Sequence, residues 1–156
     1  MLARDGRAPH TPRPVALHLL KLSVGPKDLA ALRRLQAERL RRDPPLRHWT
    51  RVAPKRAAEL LDGGSIYWVV GGWLRARQRI LALDPDTWDD GRPAVALTLD
   101  PALVTVEARP VKPFQGWRYL APADAPPDLA EGAAEAEGLD ALPARMREAL
   151  RALGLL

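Results

Sequence analysis

Two adjacent glycines, Gly71 and Gly72, separate two β-rich runs, Ser65–Val70 (SIYWVV) and residues 73–83 (WLRARQRILAL). A type I′ turn needs positive φ at both central positions, and glycine adopts that conformation without a steric penalty. The pair therefore predicts an antiparallel hairpin at the centre of the chain, and a hairpin needs further strands or helices to be stable. Pairing outward from this turn sets Val70 opposite Trp73, Trp68 opposite Arg75 and Ile66 opposite Arg77. One face then carries Ile66, Trp68, Val70, Trp73, Arg75, Arg77 and Arg79. The other carries Tyr67, Val69, Leu74, Ala76, Gln78 and Ile80, and reads as the core side.

The flanking sequence supplies the partners. Residues 15–22 (VALHLLKL) are largely apolar on both alternating faces, as in a buried central strand, with His18 the oddity of the run. Gly25-Pro26 opens a helix striped by Leu29, Leu32, Leu35 and Leu40 and ended by Asp43-Pro44-Pro45; Lys27, Arg34 and Arg41 fall on one exposed face. A strand is predicted over 46–52 and a short helix over 54–61, stopped by Gly63-Gly64. A loop over 84–93 precedes a second hairpin, 94–99 with 103–108, around Asp100-Pro101. An aromatic segment follows over 114–120.

These elements predict one α+β domain over residues 15–120, built on a strongly bent mixed sheet or small barrel with two helices in its first half. Residues 1–14 read as a flexible arm and 121–138 as an acidic Ala/Pro linker. Residues 139–156 read as a C-terminal amphipathic helix on Leu139, Leu142, Met146, Leu150 and Leu153. Such a helix would suit packing or a homodimer contact.

Charge is uneven along the chain. The formal net charge is +5 with a pI near 10.2, but only four of the cations are lysine, a bias that raises the pI through arginine. Residues 1–60 hold 14 basic against 5 acidic residues, 61–120 hold 7 against 7, and 121–156 hold 3 against 7. Absence of cysteine removes disulfide scaffolds, iron–sulfur clusters and thiol nucleophiles. No secretory h-region and no apolar run of about 18 residues is present, so a cytoplasmic location without membrane contact is expected.

Two constellations could bind an anion. Arg51, Lys55 and Arg56 crowd the start of the predicted 54–61 helix, where the dipole disfavours cations unless an anion joins them. Trp68 and Trp73 beside Arg75, Arg77 and Arg79 could stack bases and hold phosphates, although Arg stems covering Trp rings on an exposed hairpin would look the same. His10, His18 and His48 are too scattered for a metal site. Neither glycine pair matches a dinucleotide or P-loop spacing, Ser23 and Ser65 lie in no nucleophile elbow, and no cofactor or catalytic motif is indicated.

The runs HLLKLSVG at 18–25, TRVAPKRAAELLDGGSIYWVV at 50–70, ARQRILAL at 76–83 and KPFQGWRYL at 112–120 followed by APADAPPDL resemble the bacterial family called domain of unknown function 1489. The family implies the domain without implying an activity. At fold level the element order is similar to that of PUA, ASCH and EVE domains, which implies a pseudo-barrel and an RNA or modified-base ligand; the ASCH signature G-x-K-x-x-E-x-R is absent. The expectation is a module binding RNA or a nucleotide-like ligand through Arg51, Lys55 and Arg56, with Trp68, Arg75 and Arg77 supporting stacking. An enzyme acting on a small phosphorylated or carboxylated substrate would need His18, His48 or Glu59 to converge near Arg51 and Lys55. An interaction protein would use the acidic linker and C-terminal helix as an arm.

Overall fold

A computed structural model describes residues 16–129. The N-terminal arm and the expected C-terminal helix, with its dimer contact, lie outside the described residues. Within them the chain is α+β, with a mixed seven-stranded sheet and two α-helices.

Strand β1 (His18–Leu22) leads into helix α1 (Leu29–Arg42), whose N-cap Asp28 accepts from the Ala31 amide and whose last turn carries Arg39, Arg41 and Arg42. Strand β2 (Arg47–Thr50) and the five-residue helix α2 (Ala57–Leu61) follow. The central hairpin is β3 (Ser65–Val70) and the long β4 (Trp73–Thr87). Gly71 and Gly72 have φ of 60° and 86°, as the turn requires. β5 (Pro93–Leu99), β6 (Val104–Pro110) and β7 (Trp117–Leu120) complete the sheet. The strand order is β2-β5-β4-β3-β1-β7, with β6 also on β4. Only β1 and β3 pair in parallel, joined by the α1–β2–α2 crossover that parallel neighbours need.

Several expectations change here. Val70 does pair with Trp73, but the next pairs are Val69 with Leu74 and Trp68 with Ala76, so Arg75 is an extra residue in β4. A bulge shifts the side-chain alternation by one. Tyr67 thus meets Arg77 and Ile66 meets Gln78, not the partners predicted. Trp68, at 4% exposure, is a core residue rather than part of an exposed face, and all six residues of β3 are buried. A second extra residue, Leu81, occurs where β4 pairs with β5. The 94–99 and 103–108 runs form no hairpin ladder with each other. Both β5 and β6 instead pair with successive stretches of β4.

The two faces of the sheet pack separately. Leu17, Leu19, Leu32, Leu46, Leu60, Ile66, Trp68, Val70, Ile80, Leu97 and Leu99 form the larger core with α1 and α2. Tyr67, Val69, Leu74 and Val106 form the smaller one, joined by Leu20, Leu22, Val111, Leu120 and Ala125. Residues 121–129, read from composition as linker, run against this smaller core. There Leu129 and Glu107 exchange backbone bonds with Thr105 and Pro127, and Arg77 grips Asp128 with two bonds of 2.6 and 2.7 Å.

The sheet is not closed, which corrects the pseudo-barrel expectation. Its outer strands β2 and β7 share no ladder; side chains span the gap instead. The Trp117 indole donates to the Val52 carbonyl at 2.9 Å, and the Tyr119 hydroxyl accepts from the Arg56 amide at 3.0 Å. Gly64 marks the closest backbone approach, since a Cβ there would lie 2.3 Å from the Leu17 carbonyl oxygen and 2.4 Å from that of Leu60. Among the described residues no helix is long and apolar enough to cross a membrane.

Candidate functional site

The six binding residues read from sequence fall in separate places. Arg51, Lys55 and Arg56 are exposed. Arg56 directs its guanidinium onto Glu59 through bonds of 2.7 and 2.6 Å, and helix α2 is a single short turn whose N-cap side chain makes no capping bond. Arg51 borders a shallow depression with Trp88, Asp89, Asp90 and Arg92. Arg77 is occupied by Asp128 and Ser65 on the smaller-core side, and Arg75 is the half-buried bulge residue. Trp68 alone borders a cavity of a different kind.

That cavity is a cleft of about 310 Å³ between the end of β1, one face of α1 and the start of β2. Its charged lining is Lys21, Arg39 and Arg47, with no carboxylate among the residues that line it. Arg39 is placed by the helical spacing that puts it one turn beyond Leu35 and Gln36 on the same face. Lys21 alternates with Leu20 on β1 and thereby points to the α1 side. Arg39 and Lys21 make no ion pair among the described residues, whereas Arg47 reaches Asp43 at 3.1 Å.

The floor of the cleft is polar and ordered. His48 stands edge-on to the Trp68 indole, 5.2 Å between centroids at 87°. The indole N–H donates to Gln78 Oε1 at 2.8 Å. Gln78 and Gln36 form a reciprocal amide pair at 2.9 and 2.7 Å, and Gln78 Nε2 also donates to the Asp100 carbonyl at 3.2 Å. Every hydrogen-bonding direction of the Gln78 amide that this environment offers is thus used, which is what permits a fully buried amide. By contrast, His48 Nε2 and Arg47 Nε are buried without a protein partner, and both residues line the cleft.

Burial, then the positive charges of Lys21 and Arg39, hold the His48 imidazole down at about 4, so it is neutral at neutral pH. Burial likewise lowers Lys21. His18 is lowered by burial and then by Arg77; it accepts from the Ser65 amide through Nδ1 at 3.0 Å and stands edge-on to Tyr67. Tyr67 and Trp68 are neighbours on β3 and point to opposite faces, so His18 and His48 lie on opposite sides of the sheet. Glu59 is bound to Arg56 at the surface. The three candidate catalytic groups do not share one cleft.

The imidazoles make a pH prediction. Both folded-state values lie below that of the unfolded chain, so between about pH 6.5 and 4 the unfolded state binds more protons and stability falls as pH falls. His48 alone accounts for a loss of about 2 kcal/mol between pH 7.5 and 4.5. Urea denaturation at the two pH values is expected to show this loss and His48→Gln to remove most of it. An equal loss in the variant would assign the effect elsewhere. Asp86 and Asp128 are lowered by their hydrogen bonds to Trp49 and Arg77, and their contributions are lost from the ordinary aspartate value downward, toward the acid end of this window and below it.

The cleft was missed from sequence because its cations are 26 residues apart at the extremes and on three elements. One available signal was Arg39, an exposed cation one turn beyond Leu35 and Gln36 on the side of α1 that carries its apolar stripe. No curated protein and no solved structure matches the chain. A family model described as a protein of unknown function, DUF1489, matches residues 19–156, and the chain accordingly belongs to that family.

Proposed function

We propose that this chain is a binding module for phosphate-bearing, nucleotide-like ligands, and that the α1–β1–β2 cleft is its anion site. The observation that carries this reading is one cavity lined by Lys21, Arg39 and Arg47 with no carboxylate, beside buried Arg47 Nε and His48 Nε2 atoms that have no protein partner. Arg47 is paired with Asp43, but Lys21 and Arg39 make no ion pair among the described residues, and an anion between them relieves their repulsion while accepting charge-assisted hydrogen bonds. A neutral His48 adds a polar group at the floor without adding to the charge. The volume of about 310 Å³ is at the lower end for small-ligand pockets, enough for one phosphate and part of the group that bears it.

The test compares adenosine 5′-monophosphate with adenosine by isothermal titration calorimetry. Saturable binding of the monophosphate is expected at low ionic strength, weakened several-fold by added salt, with adenosine at least tenfold weaker. Equal binding of the two, or indifference to salt, would reject the cleft as a phosphate site.

A further inference from the structure

A second groove, of about 290 Å³, adjoins the cleft and shares Leu35, Arg39 and Arg47 with it. Its chemistry differs. Leu35, Pro45 and Trp49 form its apolar walls, and Glu38 and Asp43 stand on its rim. Both carboxylates are already engaged, Glu38 with Arg41 and Arg42, and Asp43 with Arg47. Arg42 also lines the groove, and its charge and that of Arg47 are answered there by Glu38 and Asp43. The groove thus offers a phosphate no cation beyond those paired with carboxylates or shared with the cleft, and suits an uncharged planar group better.

Trp49 gives that group a surface. Its indole N–H donates to Asp86 Oδ2 at 2.7 Å, which ties the ring plane to β4. The Arg47 guanidinium lies over one face, 5.6 Å from the ring centroid, and the residue is only half-buried. Arg47 therefore touches both compartments, a cation for one and a stacking neighbour for the aromatic ring of the other. Aromatic rings and guanidinium planes are the surfaces on which unpaired bases stack.

We infer that the ligand carries a nucleobase in this groove: the phosphate lies among Lys21, Arg39 and Arg47, and the base stacks on the open face of Trp49. This rests on the phosphate reading above and deepens it to a ligand class, a nucleotide with an unpaired base. Leu35, common to both cavities, lies beneath the sugar that connects them. The free mononucleotide and the single-stranded polymer share this chemistry, and their relative affinities separate the two sources: a mononucleotide receptor gains little from added nucleotides, and a strand-binding surface gains with each.

Calorimetry with adenosine 5′-monophosphate, ribose 5-phosphate and a short oligoadenylate tests the inference. The parent chain is expected to bind adenosine 5′-monophosphate about tenfold tighter than ribose 5-phosphate, the contribution of one stacked base. Trp49→Leu is expected to bring the two together by weakening only the nucleotide, and Trp49→Phe to restore most of the difference. Equal binding of the two by the parent would overturn the base site while leaving the phosphate site standing; binding of neither would overturn both. Should Trp49→Leu fail to fold, the parent series decides alone, with adenosine 5′-monophosphate above uridine 5′-monophosphate above ribose 5-phosphate as the expected order.

Discussion

Gln78→Leu is expected to destabilise the protein by about 3 kcal/mol or more, although leucine is close to glutamine in size and the site is fully buried. The amide holds four groups at once: both polar atoms of Gln36, the Trp68 indole N–H and the Asp100 carbonyl. Removing it leaves those groups without partners, at a cost of about 1–3 kcal/mol for each one that water cannot reach. Gln36 is 8% and Trp68 4% exposed, so water reaches little of either. The double change Gln36→Leu/Gln78→Leu removes both amides together and is expected to cost less than the sum of the single changes. That non-additivity is the signature of a shared network. Urea denaturation of the parent, the two single variants and the double variant measures it. A Gln78→Leu variant within 1 kcal/mol of the parent would show that the network does not hold α1 against β4.

The Gly71-Gly72 turn was legible in the sequence because two positive φ values in succession select glycine, and the first strand pair followed from it. The register beyond that pair was not legible. An alternating Arg-x-Arg-x-Arg pattern looks the same with or without one extra residue, and Arg75 is passed over in the ladders to both β3 and β6, a long-range pairing that no local spacing records. A corrective signal did exist. SIYWVV is apolar at every position after Ser65, the mark of a strand covered on both faces, and it argued against an exposed Trp68. The cover over the second face comes from residues 121–129, whose Ala/Pro/Asp composition hides their contacts because backbone bonds and the Asp128–Arg77 pair make them.

The basic character of residues 1–60 was legible as a count and not as a place. The helix-start cations Lys55 and Arg56 were prominent because they adjoin in sequence. Arg56, however, is paired with Glu59, and the cleft draws on Lys21, Arg39 and Arg47 from three elements brought together only by the crossover between the parallel strands β1 and β3. Spatial clustering of this kind has no sequence spacing.

The second large effect concerns ligand binding. Lys21→Ala/Arg39→Ala removes two of the three cations that line the cleft, and neither residue makes an ion pair among the described residues whose loss would weaken the fold. Charge-assisted bonds to a phosphate are worth about 1.5–3 kcal/mol each, so losing two is expected to weaken binding at least 100-fold. Arg39 is exposed, and half-buried Lys21 gives up one bond to the Leu22 carbonyl at 3.1 Å, so the double variant is expected to stay folded, within about 2 kcal/mol of the parent. Lys55→Ala/Arg56→Ala, which strips the cations beside α2, separates this account from a site at the helix start.

The central claim is that the cleft holds the phosphate, and titration of adenosine 5′-monophosphate into these three proteins at low ionic strength tests it most directly. The account predicts saturable binding to the parent, the same affinity for Lys55→Ala/Arg56→Ala, and at least a 100-fold loss for a folded Lys21→Ala/Arg39→Ala. Unchanged affinity in Lys21→Ala/Arg39→Ala, or loss confined to Lys55→Ala/Arg56→Ala, would contradict it.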